Sequence, residues 1–240
     1  EDLIFPHHEN EIAQSEACSG KEFSNYWMHN AFLNINNHKM SKSAGNFFTV
    51  RDITAKYDPQ VLRMFMLSAH YRSPLNFSDE LMEAAKSGYE RIVTCVSNLD
   101  FMLEKDRPEA LSEKEQELLT QVSELRSKFE SVMDDDFNTA DAISVIFDLV
   151  RFSNSNADEH SSRAFLEALK KEIMTLAGLC GLSVGRKEGR QDAGMEQRVA
   201  ERQQARKDKN FARADEIRNE LLDKGIVLED TREGVKWKKA

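Results

Sequence analysis

Two clusters in this chain of 240 residues have the residue types and spacing that chemistry needs. The first is Lys39-Met40-Ser41-Lys42-Ser43, followed by Ala44-Gly45-Asn46. Two ammonium groups beside small hydroxyl residues and a glycine make a mobile, cationic loop rich in hydrogen-bond donors. Such a loop suits a triphosphate, because ammonium groups offset the charge that accumulates as pyrophosphate leaves. Losing one well-placed donor of this kind costs roughly 3–4 kcal/mol of transition-state stabilisation. The plainer alternative is a solvated Lys/Ser turn.

The second cluster is Phe5-Pro6-His7-His8-Glu9-Asn10-Glu11. On a helix, His7 and Glu11 stand at i and i+4 on one face, while His8 with Ile12 points elsewhere. Imidazole nitrogen and carboxylate oxygen are both ordinary zinc ligands, so the pair can supply two corners of a tetrahedron. By itself, His and Glu one turn apart is more often a surface pair. Asp134-Asp135-Asp136 is a third cluster of potential ligands, read here as an acidic turn facing the positive end of the following helix.

The elements that position these groups are mainly helical. An apolar entry (Leu3, Ile4, Phe5, Pro6) leads into a helix from about His7 that stops at Gly20. Residues 27–36 read as extended and run into the polar segment Lys39–Asn46. Asp58-Pro59 is an N-cap and first-turn pair for a helix through Leu67. Ser78 opens a long helix with Leu81, Ala84, Ala85, Ile92 and Val96 on or near one face. Pro108 marks a break, and Ser112 with Glu115 forms a capping box for a helix to about Met133. An apolar stretch, Thr139–Phe152, and a helix over Ser162–Cys180 complete an antiparallel bundle. Residues 183–195 have linker composition. Two short charged helices follow, about 196–208 and 211–223, the second capped by Gly225. Val227 and Leu228 then pair with Val235 and Trp237 across a turn at Asp230–Gly234. The fold class expected is mainly α with a small C-terminal α+β module.

Lys39–Ser43 resembles the second signature of class I aminoacyl-tRNA synthetases, and the Phe5–Glu11 stretch with Ile12-Ala13-Gln14-Ser15 narrows the likeness to cysteine–tRNA ligases. Phe47–Asp52, Arg63-Met64-Phe65 and Ser68–Arg72 are similar to that family's connector, and Met133–Thr139 to the centre of its helical domain. The resemblance runs from residue 1 to 240. It implies that 1–77 is the end of a catalytic domain with its connector, 78–182 a helical bundle of the DALR type, and 196–240 an anticodon-binding module. It also implies that Lys39 and Lys42 are catalytic, with Lys42 contacting ATP, and that His7 and Glu11 hold Zn2+ with two cysteines outside this chain. Arg206, Phe211, Asp215, Asp230 and Trp237 would then meet the anticodon, since a guanidinium, aromatic faces and carboxylate acceptors suit stacking on single-stranded bases and pairing with their edges.

The implied reaction joins L-cysteine to tRNA(Cys) through cysteinyl-adenylate, with ATP and Mg2+ as substrate. The metal has a chemical reason. A cysteine thiolate can become a zinc ligand at roughly 2.3 Å, whereas serine offers a hard, poorly ionised hydroxyl. Shape alone separates near isosteres by only about 1–3 kcal/mol.

Bulk properties set limits on this reading. The chain opens on Glu1 in the middle of a motif, and the partner signature His-x-Gly-His appears nowhere in it. It is therefore expected to be the C-terminal half of a longer polypeptide and inactive alone. No apolar run approaches the roughly 18 residues of a membrane span. Cys18, Cys95 and Cys180 are isolated, which fits a reducing cytoplasm. Net charge is −9, yet from Arg186 onward 15 Lys+Arg face 12 Asp+Glu, a surplus of 3 that leaves −12 on the rest. Any polyanion contact is expected at that end. A monomer is expected. The rival readings are a cysteine ligase acting on an amino-sugar, which needs no anticodon module, and a tRNA-binding fragment without catalysis.

Overall fold

Local capping chemistry sets most element boundaries. The computed structural model describes residues 3–40, 48–185, 198, 201–206, 210–223, 226–231 and 234–239, with positions 39, 212 and 223 and the last two stretches given by their backbone. The chain divides into two compact units, Glu1–Arg186 and Lys187–Ala240.

In the first unit, a π-helical turn at Ile4–His8 runs into helix α1, Glu9–Ser19. Gly20 ends it with φ of 64°, a left-handed stop that glycine adopts without a Cβ clash. None of the residues of α1 is buried. Strand β1 (Leu33–Ile35) pairs antiparallel with β2 (His38–Lys39) and parallel with β3 (Leu75–Phe77), giving the order β2-β1-β3. Between β1 and β2, Asn36 and Asn37 have φ of 48° and 65°, the left-handed pair that a two-residue hairpin turn demands and that Asn tolerates.

Helix α2 (Val50–Thr54) starts at a capping box. Thr49 N–H donates to Asp52 Oδ2 at 2.8 Å and Asp52 N–H to Thr49 Oγ1 at 3.2 Å. The Thr-x-x-Asp spacing was readable in the sequence, but this helix was not among the expected elements. Helix α3 (Pro59–Leu67) begins where expected: Asp58 Oδ1 accepts Gln60 N–H at 2.8 Å, and proline fills the first turn.

Four long helices form the bundle: α4 (Asp79–Leu103), α5 (Glu113–Asp134), α6 (Thr139–Asn156) and α7 (Arg163–Leu179). Its core holds Ile92, Val96, Ile146, Leu149, Phe165, Leu169 and Ile173, all essentially inaccessible. The inward face of α4 is displaced from expectation. Met82, Tyr89, Ile92, Val96 and Leu99 are buried, while Leu81 and Ala84 are exposed. Packing against α3, α6 and α7 selected the Met82 face, and an apolar residue one position away lost out. Leu182 and Val184 are also buried, and Ser183 N–H donates to Gln60 Oε1 at 2.8 Å. The expected linker composition therefore begins within the first unit.

Cys95 and Cys180 are buried and Cys18 exposed. Burial pushes the Cys95 thiol up to about 11, the behaviour of an inert core residue.

In the second unit, residue 198 and residues 201–206 are helical. Helix α8 (Phe211–Asp223) buries Ala214, Ile217 and Leu221. Arg198 pairs with Glu220 at 2.9 Å, tying the two helical segments together. Strands β4 (Ile226–Thr231) and β5 (Gly234–Lys239) form an antiparallel hairpin. Leu228 pairs with Trp237 as expected, whereas Val227 faces Lys238 and Asp230 faces Val235. Gly225 lies outside the described residues.

Candidate functional site

The lysine-bearing segment leaves the three-stranded sheet at a defined point. Asn36 N–H donates to the Phe77 carbonyl at 3.0 Å and Asn37 N–H to Asn76 Oδ1 at 2.7 Å, so the hairpin turn is held on β3. Strand β2 then delivers the backbone of Lys39 opposite Asn34. Met40 packs on the core, and so does Phe48 at the far end, its ring 4.6 Å from that of Phe77. Phe77 in turn meets Phe65 of α3 edge to face at 5.6 Å. Both ends of the signature segment are thus seated on one apolar anchor. Lys42 and residues 41–47 lie outside the described residues, and so does the side chain of Lys39.

A cavity of about 250 Å³ opens beside the Phe48 end, between Phe48, Asp52, Lys56, Tyr57, Phe77 and Asp79. Hydrogen bonds from the Thr49 backbone, then its hydroxyl, hold the Asp52 carboxyl below the usual carboxylate range against a smaller opposing effect of burial. Asp52 therefore stays ionised at neutral pH.

His7 and Glu11 are four residues apart across the junction of the π turn and α1, both exposed. Among the described residues no group of three His, Cys, Asp or Glu side chains is placed to hold a metal ion. The donor set here fits half of a tetrahedral zinc site, with both residue types suitable and further ligands required. His8 was set aside in the sequence as pointing elsewhere with Ile12. Its Nδ1 lies 2.9 Å from Nε2 of His29, and both rings contact Trp27, whose ring is nearly parallel to that of His29. The signal was the Trp27-Met28-His29 stretch, a bulky aromatic next but one to an imidazole in a segment expected only to be extended.

In the second unit, Phe211 and Asp215 occupy exposed positions one turn apart on α8, beside its buried Ala214–Ile217–Leu221 stripe. Arg206 is exposed in the preceding helical segment. Asp230 and Trp237 lie on the paired strands β4 and β5, at backbone level.

Comparison with known proteins covers the whole chain. Residues 1–87 match the tRNA synthetases class I (C) catalytic domain, residues 128–184 the DALR domain, and residues 191–237 the Cysteinyl-tRNA ligase anticodon binding domain. Cysteine–tRNA ligases of Lachnospira eligens, Lachnoclostridium phytofermentans and Clostridioides difficile are 61%, 56% and 54% identical across the full chain. The chain spans about half the length of these curated relatives, 51%, 52% and 51%. Among solved structures, the ternary complex LeuRS-tRNA-LeuAMS of Agrobacterium radiobacter K84 has the same fold over 75% of this chain and 25% of its own, with a TM-score of 0.61 at 18% identity.

Proposed function

We propose, because this chain belongs to the cysteine–tRNA ligase family, that it is the C-terminal half of an enzyme that activates L-cysteine with ATP and transfers it to tRNA(Cys). The observation that carries this reading is the double anchoring of the signature segment. Met40 and Phe48, on either side of the stretch that holds Lys42, both pack on the hydrophobic core, Phe48 against the ring of Phe77.

The chain's own residues then act by position and charge. Lys42, with Lys39, offsets the charge on the ATP phosphates, chelated by Mg2+, as cysteinyl-adenylate forms and pyrophosphate departs. His7 and Glu11 would hold zinc together with two cysteines outside this chain. When bound, the metal supplies a soft site that accepts a cysteine thiolate and discriminates against serine.

The proposed organisation is 1–77 as the end of the catalytic domain, 78–182 as the helical bundle, 183–195 as a linker and 196–240 as the anticodon reader. Arg206, Phe211, Asp215, Asp230 and Trp237 are the proposed base-contacting residues. Part of the support is what the first unit leaves uncovered. Phe5 is 78% exposed and Tyr26 88%, with Leu3, Ile4, Trp27 and Met28 also exposed. An 11-residue helix with no buried face beside such a patch gains little stability alone. The other half of the enzyme would cover it.

The match of residues 191–237 to an anticodon-binding family favours tRNA over an amino-sugar acceptor. Among the described residues, no helix is long and apolar enough to cross a membrane. The enzyme is proposed to work as a monomer in the cytoplasm. The test is Lys42→Ala in the complete enzyme, read by ATP–pyrophosphate exchange. A drop of roughly two orders of magnitude is expected; an unchanged rate would remove Lys42 from the ATP site.

A further inference from the structure

Two stretches far apart in the chain meet at one carboxylate. Asp136 lies in the turn between α5 and α6, where it and Phe137 both take left-handed backbone, with φ of 56° and 55°. Consecutive residues with side chains rarely adopt this region, and persist there when their surroundings over-determine them. Asp136 Oδ1 accepts the Tyr71 hydroxyl at 2.7 Å. Its Oδ2 accepts Arg72 Nε at 2.7 Å, with His70 Nε2 at 3.8 Å. The same Arg72 Nε lies 3.0 Å from the Tyr71 hydroxyl, so the three side chains close on one another.

From Tyr71 the linkage continues through the backbone. The Tyr71 carbonyl accepts Ala31 N–H at 2.9 Å, and Leu75 N–H donates to the Phe32 carbonyl at 3.0 Å. Residue 33 then begins β1, which turns at Asn36-Asn37 into β2 and Lys39. A path of hydrogen bonds joined by short stretches of backbone therefore runs from the α5–α6 turn of the bundle to the hairpin that carries Lys39. Arg72 is 64% exposed and Asp136 39%. Ion pairs so open to water contribute little stability, and the strained backbone works against stability. The arrangement fixes geometry instead.

We propose that Asp136 is a positioning residue, clamping His70–Arg72 to the bundle and thereby fixing where the β1–β2 hairpin that leads into the signature segment sits relative to the bundle. Its partner chemistry is one phenol and one guanidinium on a single carboxylate, a combination that restrains both rotation and translation of the connector. The catalytic consequence rests on the synthetase reading above, while the mechanical linkage does not.

Two measurements separate the two. In the 240-residue chain, amide hydrogen exchange of Asp136→Ala and of Tyr71→Phe, which loses only a hydroxyl, should be about tenfold faster at Ala31 and Leu75. Amides inside α6 and α7 should be unchanged, and Asp136→Glu should restore part of the protection. Unchanged exchange at Ala31 in Tyr71→Phe would overturn the linkage even if Asp136→Ala failed to fold. In the complete enzyme, the same two variants should lower kcat for ATP–pyrophosphate exchange about tenfold and leave KM for cysteine unaltered. Variants as fast as an active parent would sink the positioning role. A parent with no exchange activity at all would instead sink the synthetase reading, with the hydrogen-exchange result standing apart.

Discussion

Glu115 Oε1 accepts the backbone N–H of Ser162 at 2.7 Å, while its other oxygen accepts Ser112 N–H at 2.8 Å. One buried carboxylate therefore closes the capping box of α5 and also satisfies an orphan donor at the start of α7, where Ser162 is itself the N-cap. Burial pushes this carboxyl up. Hydrogen bonds from the backbones of Ser112 and Ser162, then from their hydroxyls, outweigh it and leave the carboxyl below the ordinary glutamate range.

Glu115→Ala should destabilise the chain by about 2–3 kcal/mol, a lost cap plus a stranded buried N–H. Because the folded value is depressed, the ionised carboxylate contributes fully above the ordinary glutamate pKa of about 4.3 and its contribution fades as pH falls through the folded value. Urea titrations should show the gap between parent and Glu115→Gln narrowing in acid. A gap that widened instead would contradict the sign.

Gly181 has φ of 70°, and a Cβ there would stand 2.9 Å from Arg63 Nη1. Gly181→Ala should cost about 1–2 kcal/mol, mostly from the left-handed backbone, since the guanidinium can swing away. Thermal unfolding of the two proteins checks this. Equal midpoints would mean that the turn relaxes without strain.

On the proposed reading zinc should bind weakly to the 240-residue chain and stoichiometrically to the complete enzyme, because His7 and Glu11 would supply only two ligands of four. Metal content after gel filtration distinguishes the cases. His7→Ala in the complete enzyme should reduce occupancy, and tight one-to-one zinc in the chain alone would refute the split site.

The chain should bind transcripts carrying a cysteine anticodon more tightly than permuted ones, with affinity falling as salt rises. Arg206→Ala should weaken binding and reduce the salt slope by about 1 if the guanidinium meets a phosphate, and relax anticodon preference if it meets a base. Indifference to the anticodon in the parent would dismiss the reader.

Much of this molecule was legible without coordinates because local rules suffice for it. Asp58-Pro59, Ser112 with Glu115, Ser162 and Gly20 mark helix ends by backbone hydrogen-bond needs and φ preferences that involve only near neighbours. The C-terminal hairpin and its Leu228–Trp237 pair were also legible, although Asp230, Thr231 and Gly234, expected in the turn, extend the strands. The signature segment and the His7–Glu11 pair were likewise visible as residue types at a spacing.

What escaped depends on partners distant in sequence. Strand β3 is three residues long and exists because β1, forty-two positions earlier, lies parallel to it. Whether Leu81 or Met82 faces inward was decided by helices packing from elsewhere, since both are apolar and one position apart. The aspartate run read as a simple acidic turn, yet Asp136 binds Tyr71 and Arg72. Residue order alone determined which residue types stand at chemically useful spacings and where most helices start and stop. Tertiary structure decided which of those groups meet, because burial and side-chain hydrogen bonds are set by whichever surfaces arrive together when the chain closes on itself.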